Sequence, residues 1–315
     1  MTDRPSAGGT PEGGDLERLF GRRFALVGMI HLLPLPGSPR FTPERGMAAV
    51  IRQATDEARV LVDAGFDGLV IENAWDIPFL KPDDIGPETP AAMAVVAAEV
   101  ARTVGVPLGI NCLANAVDRS LAVAAAAGAR FVRSNQWVNA YVANEGLVEG
   151  RAGRMVRYRR AIGADHVTVW ADVHVKLGSH AITADRSLAE QAKDATWFDA
   201  DALIVTGTRL GDAPLTEHLR TIRAATDLPL VVGSGARVDN LGDIFAYADG
   251  AIVGSAVKIG GVWHGRVDRD VCERMCASRD VLEKETEEAA AADSQLRTTT
   301  DSKMTRPSTP SSTYP

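Results

Sequence analysis

Cysteine is almost missing from this chain. Only Cys112, Cys272 and Cys276 occur in 315 residues. The odd count and the lack of any metal-ligand spacing with histidine speak against a disulfide framework or a zinc site, so no cofactor is expected, a metal on Glu72, Asp172 and His174 being the lesser alternative, and a reducing, cytoplasmic setting fits. Cys272 and Cys276 lie one helical turn apart in VCERMC, half of a ligand set without a second half, and read as core packing. Aromatic residues are scarce at 5%, and no long stretch concentrates Lys and Arg with interleaved aromatics. With a formal net charge of −7, nucleic acid is not an expected partner. The densest basic spot, RYRR at 157–160, reads as the solvated face of a helix. No run of about 18 apolar residues is present, and MTDRPSAGGTPEGGD at the start lacks the apolar centre of a secretion signal. Neither a membrane span nor export by such a signal is therefore expected. Peripheral membrane association stays open, because a surface patch leaves no mark in one sequence.

What is present is a repeating alternation. Eight short β-branched runs, ALVGMI (25–30), GLVIEN (68–73), PLGINC (107–112), FVRSN (131–135), HVTVWADV (166–173), ALIVTG (202–207), PLVVGSG (229–235) and GAIVGSA (250–256), are each followed by a helix-like stretch. Several helix-to-strand joints share a small or Gly residue and a short turn, as in AGFDG, AGAR and YADG, the grammar of βα units. Continuous apolar strands of this kind are covered by helices on both sides, and eight of them favour a closed barrel over an open sheet. The expected fold is α/β, a single (β/α)8 TIM barrel over residues 21–285. A flexible segment (1–20) should precede it and a disordered Ser/Thr/Pro-rich tail (286–315) should follow.

In such barrels chemistry sits at the C-terminal ends of the strands. Here those ends collect polar groups that are costly to bury unpaired. His31, Glu72 and Asp172 are the candidate catalytic residues, with the two carboxylates suited to general acid and base work. Asn111, Arg133, Asn135, His174, Lys176 and Thr206 are candidate substrate-binding residues. Asp172, His174 and Lys176 are spaced by two, which puts them on one face if the extended conformation persists. Each has a plainer reading as well, a satisfied polar plug for the set and a capped core histidine for His31. After the seventh and eighth strands, Gly233-Ser234-Gly235 and Gly254-Ser255-Ala256 place small residues where loops of this fold commonly hold a phosphate by backbone N–H groups. Three prolines and a glycine in IHLLPLPGSPR (30–40) should stiffen the wall beside His31. The long excursion after the fourth strand, QWVNAYVANEGLVEGR (136–151), reads as a lid carrying Trp137 and Tyr141 or as a contact between subunits.

Several stretches together, GMIHLLPLPGSPR (28–40), DGLVIENAWDIPF (67–79), NQWVNAYVANEGLVEGRAG (135–153), ADVHVK (171–176), VVGSGARVDNL (231–241) and ADGAIVGSAVK (248–258), resemble the BtpA family, SgcQ-like proteins included. The resemblance runs from about residue 22 to 275. It implies a barrel similar to those that bind phosphate, and it links the family's cyanobacterial namesake with photosystem I biogenesis. The chain departs from the family around VKLGSH, where a histidine more often follows the lysine directly; here His180 comes four residues later. Two functions of different class follow as expectations. One is an isomerase, lyase or glycosidic-bond hydrolase acting on a phosphorylated sugar or ribosyl compound, as a homo-oligomer. The other is a non-catalytic assembly or stability factor for a membrane complex.

Overall fold

The computed structural model describes residues 15–304 apart from residue 210. Eight parallel strands close into one barrel in the order of the chain: β1 (Ala25–His31), β2 (Gly68–Glu72), β3 (Leu108–Asn111), β4 (Phe131–Ser134), β7 (Thr168–Val173), β8 (Ala202–Val205), β9 (Leu230–Val232) and β10 (Gly250–Val253). The excursion after β4 forms a separate antiparallel hairpin, β5 (Ala140–Ala143) and β6 (Gly146–Glu149). The principal outer helices are α2 (Gly46–Asp63), α3 (Glu88–Thr103), α4 (Val117–Ala127), α5 (Ala152–Ala161), α6 (Leu188–Trp197), α7 (Thr216–Arg223), α8 (Leu241–Phe245) and α9 (Arg269–Met304). All eight expected strands are thus present, in the expected closed arrangement.

Two layers of apolar packing follow from the strand pattern. Residues pointing outward, such as Leu26, Ile71, Ile110 and Leu203, pack against Ala and Leu of the helices. The Ala-rich runs of α3 and α4 bury Ala92, Val96, Leu121 and Ala124 in this layer. Residues pointing inward, including Val27, Val70, Phe131, Trp170 and Ile252, fill the barrel interior. Phe131 stacks on Trp170 at 3.9 Å between ring centroids. Gly109 makes room for this pair, because a Cβ there would fall 2.1 Å from the Phe131 ring.

The chain ends differ from expectation. Residues 15–20, expected within a flexible segment, form helix α1 (Asp15–Phe20). Leu16 is buried, and Phe20 meets Phe131 and Trp170 edge-on, so α1 stops the N-terminal end of the barrel. Local composition hid this, because the apolar residues of DLERLF are satisfied only by a tertiary surface. At the other end, helix α9 runs on to Met304 where disorder was expected from 286. EKETEEAAAA at 283–292 is rich in strong helix formers, a local preference that the Ser/Thr/Pro content of the later tail outweighed in the sequence reading. Residues 1–14 and 305–315, the rest of both expected segments, lie outside the described residues.

One device recurs at the strand starts. Asp67 accepts from Leu26 N–H at 2.7 Å and pairs with buried Arg279 of α9. Asp201 accepts from Val169 N–H at 2.8 Å and pairs with Arg159 of α5. Asp249 accepts from Leu230 N–H at 2.8 Å and pairs with Arg223 of α7. An aspartate at a joint thus satisfies the neighbouring strand's amide and ties a helix to it, which fixes one end of the barrel and leaves the other free for chemistry.

Candidate active site

Register sets the first part of the site. His31 pairs with Glu72 across β1 and β2, and Glu72 with Asn111 across β2 and β3, so three adjacent strands end in a row of polar side chains. Asn111 Nδ2 donates to Glu72 Oε2 at 2.6 Å. The other carboxylate oxygen, Oε1, stands 3.8 Å from His31 Nε2. His31 Nδ1 lies 2.9 Å from the Trp263 carbonyl. A carbonyl oxygen only accepts, so Nδ1 carries the proton and Nε2 presents its lone pair toward Glu72. Burial, followed by the charge of Lys258, holds the imidazole down to about 3, so it is neutral near pH 7.

The second part is cationic. Arg133, buried at the end of β4, grips Asp172 with Nε at 3.2 Å and Nη2 at 2.9 Å. Asn135 Nδ2 adds a bond to the same carboxylate at 3.2 Å. Burial pushes the Asp172 carboxyl up while Arg133 pulls it the other way. Both its oxygens are occupied, so its evident task is to hold Arg133 and Asn135 in place. Lys176 follows in the loop after β7, its own N–H donating to Thr206 Oγ1 at 3.1 Å. Burial and then Arg133 pull its ammonium down to about 8, against Glu72, Asp172 and Asp212. The buried amide oxygens Asn111 Oδ1 and Asn135 Oδ1 have no partner among the described residues.

The third part is backbone. The turn after β9 carries Gly235 at φ +77°, and a Cβ there would sit 2.1 Å from Ala213 N, so only glycine lets the two loops approach. Among the described residues, the N–H groups of Ser234, Gly235, Ala236, Ser255 and Ala256 meet no hydrogen-bond acceptor. Unbonded amides from two adjacent loops make a concavity suited to an anion.

These parts share one cavity of about 250 Å³ at the C-terminal end of the barrel. His31, Glu72, Arg133, Asn135 and Lys176 line it together with Gly233, Ser234, Gly235, Gly254 and Ser255, Gly254 lying beside His31 and Gly233 beside Arg133. Asn111, Asp172 and Thr206 stand behind, holding Glu72, Arg133 and Lys176. His174 is not brought in. The strand ends at Val173, His174 turns out at φ +56°, and its exposed ring stacks on His180 at 3.8 Å. The spacing-by-two expectation fails there because extended backbone does not persist past the strand. Among the described residues no three His, Cys, Asp or Glu side chains converge as a metal site.

The hairpin is a fixed wall. Val142 and Ser179 exchange backbone bonds of 3.0 and 2.8 Å, which ties it to the loop after β7. Tyr141 lines the cavity, whereas Trp137 is buried away from it with Nε1 donating to the Phe198 carbonyl at 2.8 Å. The sequence reading missed Trp263, which lines the cavity and sets the His31 tautomer. The Gly-flanked aromatic pair in GGVWHG after the last strand was the available signal.

A closed (β/α)8 barrel with polar side chains gathered at the C-terminal mouth defines the class, a TIM barrel. The chain belongs to the BtpA family, whose model matches residues 22–279. An uncharacterized protein of Archaeoglobus fulgidus is 40% identical over 237 residues, 75% of this chain and 92% of that one. The photosystem I biogenesis protein BtpA of Synechocystis is 36% identical over 263 residues, 82% and 87% of the two chains. Among solved structures, (S)-3-O-geranylgeranylglyceryl phosphate synthase from Thermoplasma acidophilum, in complex with sn-glycerol-1-phosphate, superposes with a TM-score of 0.55. It is 14% identical and covers 86% of this chain and 97% of that one. Tryptophan synthase of Mycobacterium tuberculosis gives 0.54 at 19% identity over 85% and 98%. These likenesses show the fold. No helix among the described residues is long and apolar enough to cross a membrane.

Proposed function

We propose that this protein is an enzyme acting on a phosphorylated small molecule, a sugar phosphate or ribosyl compound, by acid/base isomerisation, lyase chemistry or cleavage of a glycosidic bond. The carrying observation is the set of unbonded amides at 234–236 and 255–256 in the same cavity as His31, Glu72 and Lys176. A phosphate on those amides leaves the rest of the ligand toward Glu72. Glu72, held by Asn111, takes or returns a proton, and neutral His31 accepts one at Nε2 or orients a hydroxyl. Arg133 and Lys176 balance the ligand's negative charge. The phosphate ester named with the Thermoplasma structure supports the same reading for this fold. The unpaired cysteines support a reducing, cytoplasmic location. A homo-oligomer and peripheral membrane association stand as parts of the same proposal.

The test is thermal. Sugar phosphates should raise Tm, and Ser234→Asp should remove the shift by placing a carboxylate among the amides. No shift with any member of a panel of sugar phosphates and nucleotides would overturn the reading.

The name of the Synechocystis relative favours a second reading, an assembly factor for a membrane complex. Val142 and Leu147 of the hairpin, with Leu177 and Ile182 beside it, expose apolar surface for a partner. If a Glu72→Gln/Ser234→Asp variant keeps the biological effect and recovers the same partners, this second reading holds; loss of the effect supports catalysis.

A further inference from the structure

Lys176 is not placed like a surface lysine. It lines the mouth cavity, and no hydrogen bond or ion pair holds its Nζ among the described residues. Lys258, which is buried, is committed to Glu57; Lys176 is half-buried. Lys176 is fixed instead through its backbone, by Thr206. A lysine kept only to balance charge gains most from a carboxylate partner. Here the nearest carboxylates are engaged elsewhere, Asp172 by Arg133 and one oxygen of Glu72 by Asn111.

We propose that Lys176 is a nucleophile that forms an imine with a carbonyl carbon, so that the substrate is a phosphorylated aldehyde or ketone. This rests on the anion-site reading above and names the substrate class for it. A desolvated lysine beside a second cation is the setting in which an amine is free enough to add to a carbonyl. Arg133 supplies that cation and burial the desolvation, while Glu72, Asp172 and Asp212 limit the effect. The cavity of about 250 Å³ suits a small phosphorylated carbonyl compound.

The atoms balance without a further reagent. The ammonium gives one proton to the Glu72 carboxylate, whose Oε1 stands 3.8 Å from His31 Nε2. The freed Nζ lone pair adds to the carbonyl carbon, the C=O π pair moves onto oxygen, and a proton passes from nitrogen to that oxygen. The first proton then returns from the base to the hydroxyl, which leaves as water while the nitrogen lone pair forms the C=N bond. One ammonium and one carbonyl become one protonated imine and one water. The imine draws electrons from the adjacent carbon, so Glu72 can take a proton or support bond cleavage there.

The experiment is reductive trapping on the full chain. Dihydroxyacetone phosphate, glyceraldehyde 3-phosphate and ribose 5-phosphate are each incubated with sodium cyanoborohydride, followed by intact mass and peptide mapping. The expected result is a single reduced adduct on the peptide carrying Lys176, competed by inorganic phosphate and absent in Lys176→Arg and Lys176→Met. Far-ultraviolet dichroism and an unliganded Tm like those of wild type show that both variants are folded. If the compounds raise Tm and no adduct forms at Lys176, the anion reading stands and the nucleophile is overturned. Adducts spread equally over surface lysines in wild type and variant overturn it too. Neither shift nor adduct overturns both. An adduct at Lys176 that phosphate does not compete supports the nucleophile and removes the anion site.

Discussion

His31 Nε2 faces Glu72 Oε1 at 3.8 Å with a lone pair on each atom, because the Trp263 carbonyl has already claimed the imidazole proton at Nδ1. Two acceptors set face to face form a place for one proton, or for one ligand hydroxyl.

The pH dependence of this pair has a definite sign. The folded pKa of His31 lies near 3, below the ordinary 6.5, so between these values the unfolded chain binds the proton and the folded one does not. His31 therefore contributes stability that is fully present above about pH 6.5 and is lost as pH falls toward 3. At roughly 1.4 kcal/mol per pKa unit the loss reaches several kcal/mol. Urea denaturation at pH 7.5 and 5.0 should show it, and His31→Gln should flatten that slope. Nitrogen-15 shifts of the imidazole should report the Nδ1–H tautomer throughout pH 5–8; a titration centred near 6.5 would refute the arrangement.

The Arg133 and Asp172 pair should respond asymmetrically. Arg133→Met strands a buried carboxylate and is expected to cost about 3–5 kcal/mol. Replacing both, as Arg133→Met with Asp172→Leu, should recover much of that stability while abolishing any phosphate-ester shift. A double-mutant cycle by chemical denaturation measures this. Additive losses would mean that the two side chains do not act as a unit.

The N-terminal stopper is testable by truncating its side chains. Leu16→Ala with Phe20→Ala removes apolar volume against Phe131 and Trp170, at an expected cost of about 3–5 kcal/mol. The near-ultraviolet dichroism of Trp170 should change with it. Stability within about 0.5 kcal/mol of wild type would return the segment to the flexible expectation.

Some of this was legible in the sequence and some was not, for separable reasons. The eight strands stood out because both of their faces are apolar, which leaves little ambiguity over runs such as GLVIE or ALIV. His31, Glu72 and the two glycine turns were visible because strand ends are where this fold puts polar groups. Which of those groups line the cavity was not visible. Whether Arg133 pairs with a carboxylate or is kept for a ligand's anion was open in the sequence; its grip on Asp172, 39 residues away in the chain, comes only with the β4 and β7 pairing. His174 looked aligned with its neighbours because the end of a strand cannot be told from alternation alone. Helix α1 and Trp263 were hidden for a common reason: each takes its meaning from a surface that exists only once the barrel has closed.

With α1 seated in the opposite end, the barrel has a single door. On the proposed reading, a ligand that enters past Trp263 and Tyr141 leaves by the same way, so product and incoming substrate contend for one passage. Turnover would then be governed by how soon the occupant lets go of the amides at 234–236 and 255–256, and inhibition by product should be competitive.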